Sequence, residues 1–168
     1  MADIETPLMW FSQKAGKTPE PWRYFQLDGV LLNAYEILQK PSIADRMRRH
    51  KVHSYMGFHG PVMMDSGGFM FMTKKHMRAE PEAISKLYEE TRPNYGVVLD
   101  HPLTVGLTQA QTRRRQQATL KNTKRMFEEK EGSNPELIPV IHGYTLRSVE
   151  WFVRQLVKIG DFGVYGIG

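Results

Sequence analysis

Val30-Leu31-Leu32-Asn33, Val62-Met63-Met64-Asp65, Val97-Val98-Leu99-Asp100 and Ile138-Pro139-Val140-Ile141-His142 are short apolar runs, and each ends in a polar side chain. A fifth run, Val164-Tyr165-Gly166-Ile167, lies beside Gly168. Polar, charge-rich stretches long enough for a helix separate them. Buried parallel strands read as continuous Val, Ile and Leu because both faces are covered, and parallel neighbours need a long crossover, usually a helix. The pattern therefore predicts an α/β fold of alternating strands and helices. Barrels of that class carry their chemistry at the carboxyl ends of the strands. Asn33, Asp65, Asp100 and His142 are placed accordingly.

Working outward, Pro7-Leu8-Met9-Trp10-Phe11 reads as an earlier strand, followed by a loop from Gly16 to Pro21. The other strands are expected near 29–33, 61–65, 96–100, 138–142 and from about Gly163. A helix near 42–50 starts at Ser42 after Pro41. A second runs from Pro81 to about Arg92, with Ile84, Leu87 and Tyr88 on one buried face. A third runs from a Thr108 cap to about Lys130, with Leu120, Thr123 and Phe127 along one stripe. The last is capped by Thr145 or Ser148, carries Val149, Phe152, Val153 and Leu156, and is closed by Gly160. The Gly67-Gly68 pair marks a tight turn or a close backbone approach. No linker interrupts the chain, so residues 1–168 read as one domain. Six strands suit either a smaller open sheet or part of a barrel, whose closed eight-stranded form takes about 250 residues.

The chain has 168 residues, 40% of them hydrophobic, and no cysteine. That is enough for one core and excludes disulfides and thiolate metal sites within these residues. No apolar stretch approaches the roughly 20 residues of a membrane span. The amino terminus lacks the basic-then-apolar pattern of a secretion signal, so a cytoplasmic location is expected. Histidines stand isolated at 50, 53, 59, 76, 101 and 142, without a metal-binding spacing, and no metal site is expected. Net charge is +5. The excess falls in two clusters, Arg46, Arg48, Arg49, His50 and Lys51, and Arg113, Arg114, Arg115, Lys121, Lys124 and Arg125. Such clusters are either solvated helix faces or a footprint for a phosphate backbone. On the second reading Arg113, Arg114, Lys121 and Arg125 hold nucleic acid.

The most specific segment is Gly57-Phe58-His59-Gly60-Pro61 leading into Asp65-Ser66-Gly67-Gly68-Phe69. It resembles the signature of the tRNA-guanine transglycosylases, and other motifs follow in the same order. Asn33-Ala34-Tyr35 is similar to the family's Asn-x-Tyr, and Asp100-His101-Pro102 to the Asp-x-Pro of its archaeal-type branch. Val140-Ile141-His142-Gly143 stands where the family has Val-Gln-Gly, and Asp161 to Gly168 resembles the approach to its Gly-Gly-Leu turn. The resemblance covers roughly residues 28–168. It implies a (β/α)8 TIM barrel, here incomplete with about six strands, the carboxyl-terminal strands and a zinc subdomain lying beyond residue 168. Zinc is expected only there, and no cofactor within this chain.

The family replaces a guanine within a nucleic acid by a free 7-deazaguanine base, which makes this chain a pentosyltransferase by resemblance. Asp65 is then the catalytic acid or base against the guanine edge, its pKa raised by burial; its other reading is a helix cap. Phe69 is the stacking platform, worth roughly 1–3 kcal/mol per base, or else an ordinary core aromatic. Asp100 is the second base-reading carboxylate, or a strand-end cap. His142 replaces the family's amide and can donate and accept towards the base at different ring atoms. Gly143 lets the base approach the backbone, Asn33 meets ribose or phosphate, and Ser66 meets a phosphate or caps the turn. The family's aspartate nucleophile has no counterpart here. Three functional readings follow: exchange in tRNA, exchange in DNA, or a catalytically incomplete base-binding fragment. A partner chain or second copy would complete the barrel.

Overall fold

The computed structural model describes residues 8–17, 20–73, 80–130, 132 and 134–168. Five strands, β1 (Trp10–Ser12), β2 (Gly29–Asn33), β3 (Val62–Asp65), β4 (Tyr95–Val97) and β5 (Glu136–Ile138), form one parallel sheet in chain order. A second, two-stranded parallel pair joins β6 (Val140–Ile141) to β7 (Gly166–Ile167). Helices α1 (Ala34–Leu38), α2 (Pro41–Met56), α3 (Gly68–Thr73), α4 (Pro81–Thr91), α5 (Gln109–Glu129) and α6 (Leu146–Leu156) lie between strands. Strands laid down strictly in sequence, each parallel to the last, are the winding of a barrel; a doubly wound sheet would reverse its strand order partway. The architecture is that of a partial TIM barrel.

Alternation along the strands separates two faces. Val30, Leu32, Val62 and Met64 are at most 1% exposed. They pack in one core with Ile37, Met47, Val52, Ile84, Leu87 and Met126 from the helices. Leu31, Met63 and Tyr95 point the other way and stand in register across β2, β3 and β4. Two residues further along that inner face come Asn33 and Asp65, paired with each other. A period of two thus carries both polar ends to the inner side of the strand tops.

Several boundaries differ from expectation for identifiable reasons. Pro139 has no N–H to give a ladder, and it divides the run expected at 138–142 into β5 and β6. Strand β4 stops at Val97, although the Val98 N–H still donates to the Ile138 carbonyl at 3.0 Å. The first strand begins at Trp10, and Pro7 lies outside the described residues. Helix α2 is longer than expected and is broken at Lys51 (φ 61, ψ 158). Neither α1 nor α3 was expected. On α5 the buried stripe is Gln116, Thr119, Thr123 and Met126; of the expected Leu120, Thr123 and Phe127 only Thr123 is fully buried, the other two being half-buried. Thr145 caps α6 while Ser148 bonds back to it, so both candidates act together.

Helix α4 ends on Arg92 in the left-handed region (φ 56, ψ 58), with its N–H donating to the Tyr88 carbonyl. Glycine occupies that conformation without a Cβ penalty. Arg92→Gly is therefore expected to stabilise the fold by about 0.5–1 kcal/mol, read as a higher midpoint in urea unfolding. An unchanged or lower midpoint would show that the arginine side chain matters more than its backbone.

Candidate active site

Asp65 closes β3. Its Oδ2 accepts from Asn33 Nδ2 at 3.3 Å and from the Gly67 N–H at 3.2 Å. The other end of the Asn33 amide is occupied as well, since its Oδ1 accepts from the Glu36 N–H at 2.9 Å and caps α1. Asn33, expected at ribose or phosphate, is thus held between a helix start and the acid. A cavity of about 150 Å³ opens here, lined by Ser12, Lys14, Asn33, Glu36 and Asp65.

Burial, and secondarily the charge of Asp100, push the Asp65 carboxyl up from an ordinary 3.8 to about 6, against the lowering effect of the backbone N–H groups. That separates it from a simple cap, whose hydrogen bonds would hold it down. Gly67 (φ +88) makes the turn after it, and an added Cβ would lie 2.8 Å from Tyr35 Cβ. Gly68 then opens α3 directly against Asp100, where a Cβ would stand 2.2 Å from Asp100 Oδ1 and 2.8 Å from its carbonyl oxygen. The glycine pair is required by both a turn and a close approach.

Asp100 is gripped from its other side by His142, whose Nε2 lies 2.8 Å from Asp100 Oδ2. The His142 ring is fully buried, edge-on to Phe152, and its Nδ1 has no hydrogen-bond partner among the described residues. The neutral tautomer that donates from Nε2 to the carboxylate leaves Nδ1 as a bare acceptor. Sequence reasoning placed His142 against the base. In the structure its Nε2 is engaged by Asp100.

The polar inner face of α5, which the sequence reading missed, has a function of its own. Beyond Val97 the chain leaves the ladder, and its backbone groups need partners. Asn122 Nδ2 donates to the Leu99 carbonyl at 2.9 Å, and the His101 N–H donates to Thr119 Oγ1 at 2.8 Å. Gln116 Nε2 donates to the His142 carbonyl at 2.7 Å. The Leu99 N–H meets Met126 Sδ at 3.4 Å. Spacings of three and four along 116, 119, 122 and 126 carry the signal, provided polar residues are admitted to a buried stripe. Tyr88 does similar work beneath the acids, with its hydroxyl near the Met64 and Val97 carbonyls at 3.0 and 2.9 Å.

The remaining expectations fare unevenly. Phe69 follows Gly68 on the first turn of α3 and is 64% exposed, so it is no core aromatic. Ser66 is fully buried and donates to the Val98 carbonyl at 3.2 Å, tying β3 to β4 and not facing an open site. Gly143 packs beneath α6, where a Cβ would stand 2.7 Å from Ser148 Oγ and 2.8 Å from the Val149 nitrogen. The start of α6 fills the space on that side of Gly143. Arg125 pairs with Glu82 and Glu129. At 1.5 Å per residue it lies about 18 Å along α5 from Arg113, towards the opposite end of the strands. Arg113 and Arg114 stand near the amino end of α5, exposed, and Lys121 is exposed midway. In the first basic cluster Arg48 pairs with Asp45 and Glu90, and Arg46 stacks on Tyr55. Among the described residues no three His, Asp or Glu could hold a metal ion, and no helix is long and apolar enough to cross a membrane.

Comparison with known proteins matches residues 2–168 to the family described as queuine tRNA-ribosyltransferase. A tRNA-guanine(15) transglycosylase of Methanopyrus kandleri is 26% identical over 141 residues, 84% of this chain and 30% of that protein. That of Methanobrevibacter smithii is 24% identical over 99% of this chain and 26% of its own length. A queuine tRNA-ribosyltransferase of Tolumonas auensis is 32% identical over 45% of this chain and 21% of its own. The chain spans less than a third of the length of these curated relatives.

Proposed function

This chain belongs to the queuine tRNA-ribosyltransferase family, and on that premise we propose that it supplies the guanine-recognising half of a tRNA base-exchange site. The single observation that carries the reading is the pair of strand-end carboxylates, Asp65 and Asp100, close enough for one to raise the pKa of the other. Guanine presents N1–H and N2–H₂ donors along one edge, and ionised carboxylates only accept. Adenine offers an acceptor at N1, which a carboxylate repels. Two acids therefore select guanine, or a 7-deazaguanine with the same edge.

Asp65 is the proton-transfer candidate, because a carboxyl titrating near 6 holds or releases a proton close to neutrality. Asp100, held by His142 and packed closely against Gly68, is the rigid reader. Phe69, exposed beside it, is the stacking surface. The base must leave its stack to reach such a pocket. Displacement at the ribose carbon needs a further carboxylate, for which the resemblance assigns no counterpart among residues 1–168. The matched relatives with tRNA in their names support RNA over DNA as the polymer. A partner chain or a second copy closing the barrel belongs to the same proposal.

Titrating guanine into the chain calorimetrically tests this. Recognition needs the Asp65 carboxylate, so affinity is full above pH 7 and falls as pH drops through 6. At pH 5 about a tenth of the acid remains ionised, and binding about tenfold weaker than at pH 7.5 is expected. Adenine is expected not to bind. Equal affinity for the two purines, or indifference to pH, would sink the reading.

A further inference from the structure

Between α5 and α6, on the side of the strand tops, lies a cleft of about 340 Å³. Arg113, Arg147 and Trp151 line it, together with the polar side chains of Gln109, Thr112 and Gln116, and no acid is among its lining residues. The Arg113 guanidinium lies over the Trp151 ring, 3.3 Å from the centroid. Neither Arg113 nor Arg147 pairs with a carboxylate among the described residues. That sets them apart from Arg48 and Arg125, which pair with acids.

Stacking on an indole fixes a guanidinium's plane and removes much of the freedom it would lose on binding. A planar fork held in this way is suited to two oxygens of one phosphate. The cleft also joins the acid pair through a short chain of bonds. Gln116 lines it and donates to the His142 carbonyl, and His142 holds Asp100. The cleft is thereby linked to Asp100 by two hydrogen bonds and the buried His142 residue between them.

We propose that this cleft is a phosphodiester clamp, in which Arg113, preset by Trp151, and Arg147 grip the strand beside the exchanged guanosine. The proposal rests on the nucleic-acid reading above and deepens it, by naming the residues that hold the backbone next to the flipped base. It also divides the basic residues of α5. Arg113 touches the strand, while Arg125 braces α4 and the end of its own helix.

The test uses the 168-residue chain and a fluorescein-labelled, unmodified tRNA transcript, with anisotropy followed across a salt series. Arg113→Gln and Arg147→Gln are each expected to flatten the log Kd against log salt slope by about one. Trp151→Leu, which frees Arg113 without changing charge, is expected to weaken binding several-fold at constant slope. Lys86→Gln removes the same charge from the exposed face of α4 and is expected to change neither quantity. Equal losses from Lys86→Gln, or no binding of the transcript, would overturn the clamp. So would GMP displacing the transcript at millimolar concentration with Arg113-dependent affinity, since the cleft would then be a mononucleotide site. Single-stranded DNA of the same sequence shows whether the clamp reads the backbone alone, and equal arginine dependence there supports it. Guanine calorimetry on the unsubstituted chain reports separately on the acid pair. Guanine binding with arginine-indifferent tRNA binding overturns only the clamp, and the converse overturns only the base reading.

Discussion

Asp65→Asn makes the protein more stable at pH 8 and nearly blind to guanine. The Asp65 carboxyl titrates at about 6 in the fold against an ordinary 3.8. A pKa raised by folding means that the fold prefers the protonated form. Stability is therefore full below about pH 4 and is lost as pH climbs through 6. At about 1.36 kcal/mol per pH unit, an uncharged isostere recovers about 2–3 kcal/mol at pH 8 and almost nothing at pH 4. The Asn oxygen can still accept from the Gly67 N–H, so the turn survives. Guanine, facing an amide NH₂ where it had an acceptor, loses a charge-assisted bond worth about 1.5–3 kcal/mol, roughly 10- to 100-fold in affinity. Urea unfolding at the two pH values and guanine calorimetry measure the opposed effects. A variant less stable at pH 8 than the parent would refute the account of Asp65 as a strained acid.

Gly68→Ala is expected to be the most damaging single methyl in the chain. Alanine is the better helix former by up to about 1 kcal/mol, and Gly68 begins α3. The gain is overrun by contact. The new Cβ would stand 2.2 Å from Asp100 Oδ1 and 2.8 Å from the Asp100 carbonyl oxygen. The side chain can swing away only by leaving His142, 2.8 Å distant, and the carbonyl cannot swing at all. Overpacking of this kind costs about 1–3 kcal/mol. Guanine affinity falls at least tenfold, because the displaced carboxylate is the rigid half of the pair. Asp100→Asn would separate the two effects, since it loses affinity without the clash. If Gly68→Ala bound guanine as the parent does while melting normally, Asp100 would not be the residue that reads the base.

The sequence announced the strands more clearly than it announced what holds them. Four apolar runs ending in Asn33, Asp65, Asp100 and His142 were legible because burial on both faces leaves little room for polar residues until a strand emerges. The Thr108 and Thr145 caps were legible for a similar local reason. Helices α1 and α3 were hidden because each begins within three residues of a strand end, Ala34 directly after Asn33 and Gly68 after Asp65, which no periodicity can register. The inner face of α5 was hidden because its role is polar. Thr119 and Asn122 stand in for a missing strand neighbour, and a search for apolar stripes passes over them. His142 showed the limit of reading a site one residue at a time. Its chemistry suited a base, and only the position of Asp100 shows which partner it has. Within the basic clusters, sequence could not separate Arg113 from Arg125, because the separation depends on Glu82 arriving from another helix.

The amide of Asn33 faces two ways, its oxygen to the backbone of Glu36 and its nitrogen to Asp65. A flipped amide would set donor against donor at one end and acceptor against acceptor at the other, so the hydrogen bonds dictate a single orientation. Aspartate would begin α1 equally well by the rules of helix capping. Placed there, it would crowd a third anion beside Asp65 and Asp100 and suppress the ionisation on which guanine recognition depends. Variation at position 33 that looks harmless to the helix is thus audible at the acids, and a single side-chain nitrogen polices the difference.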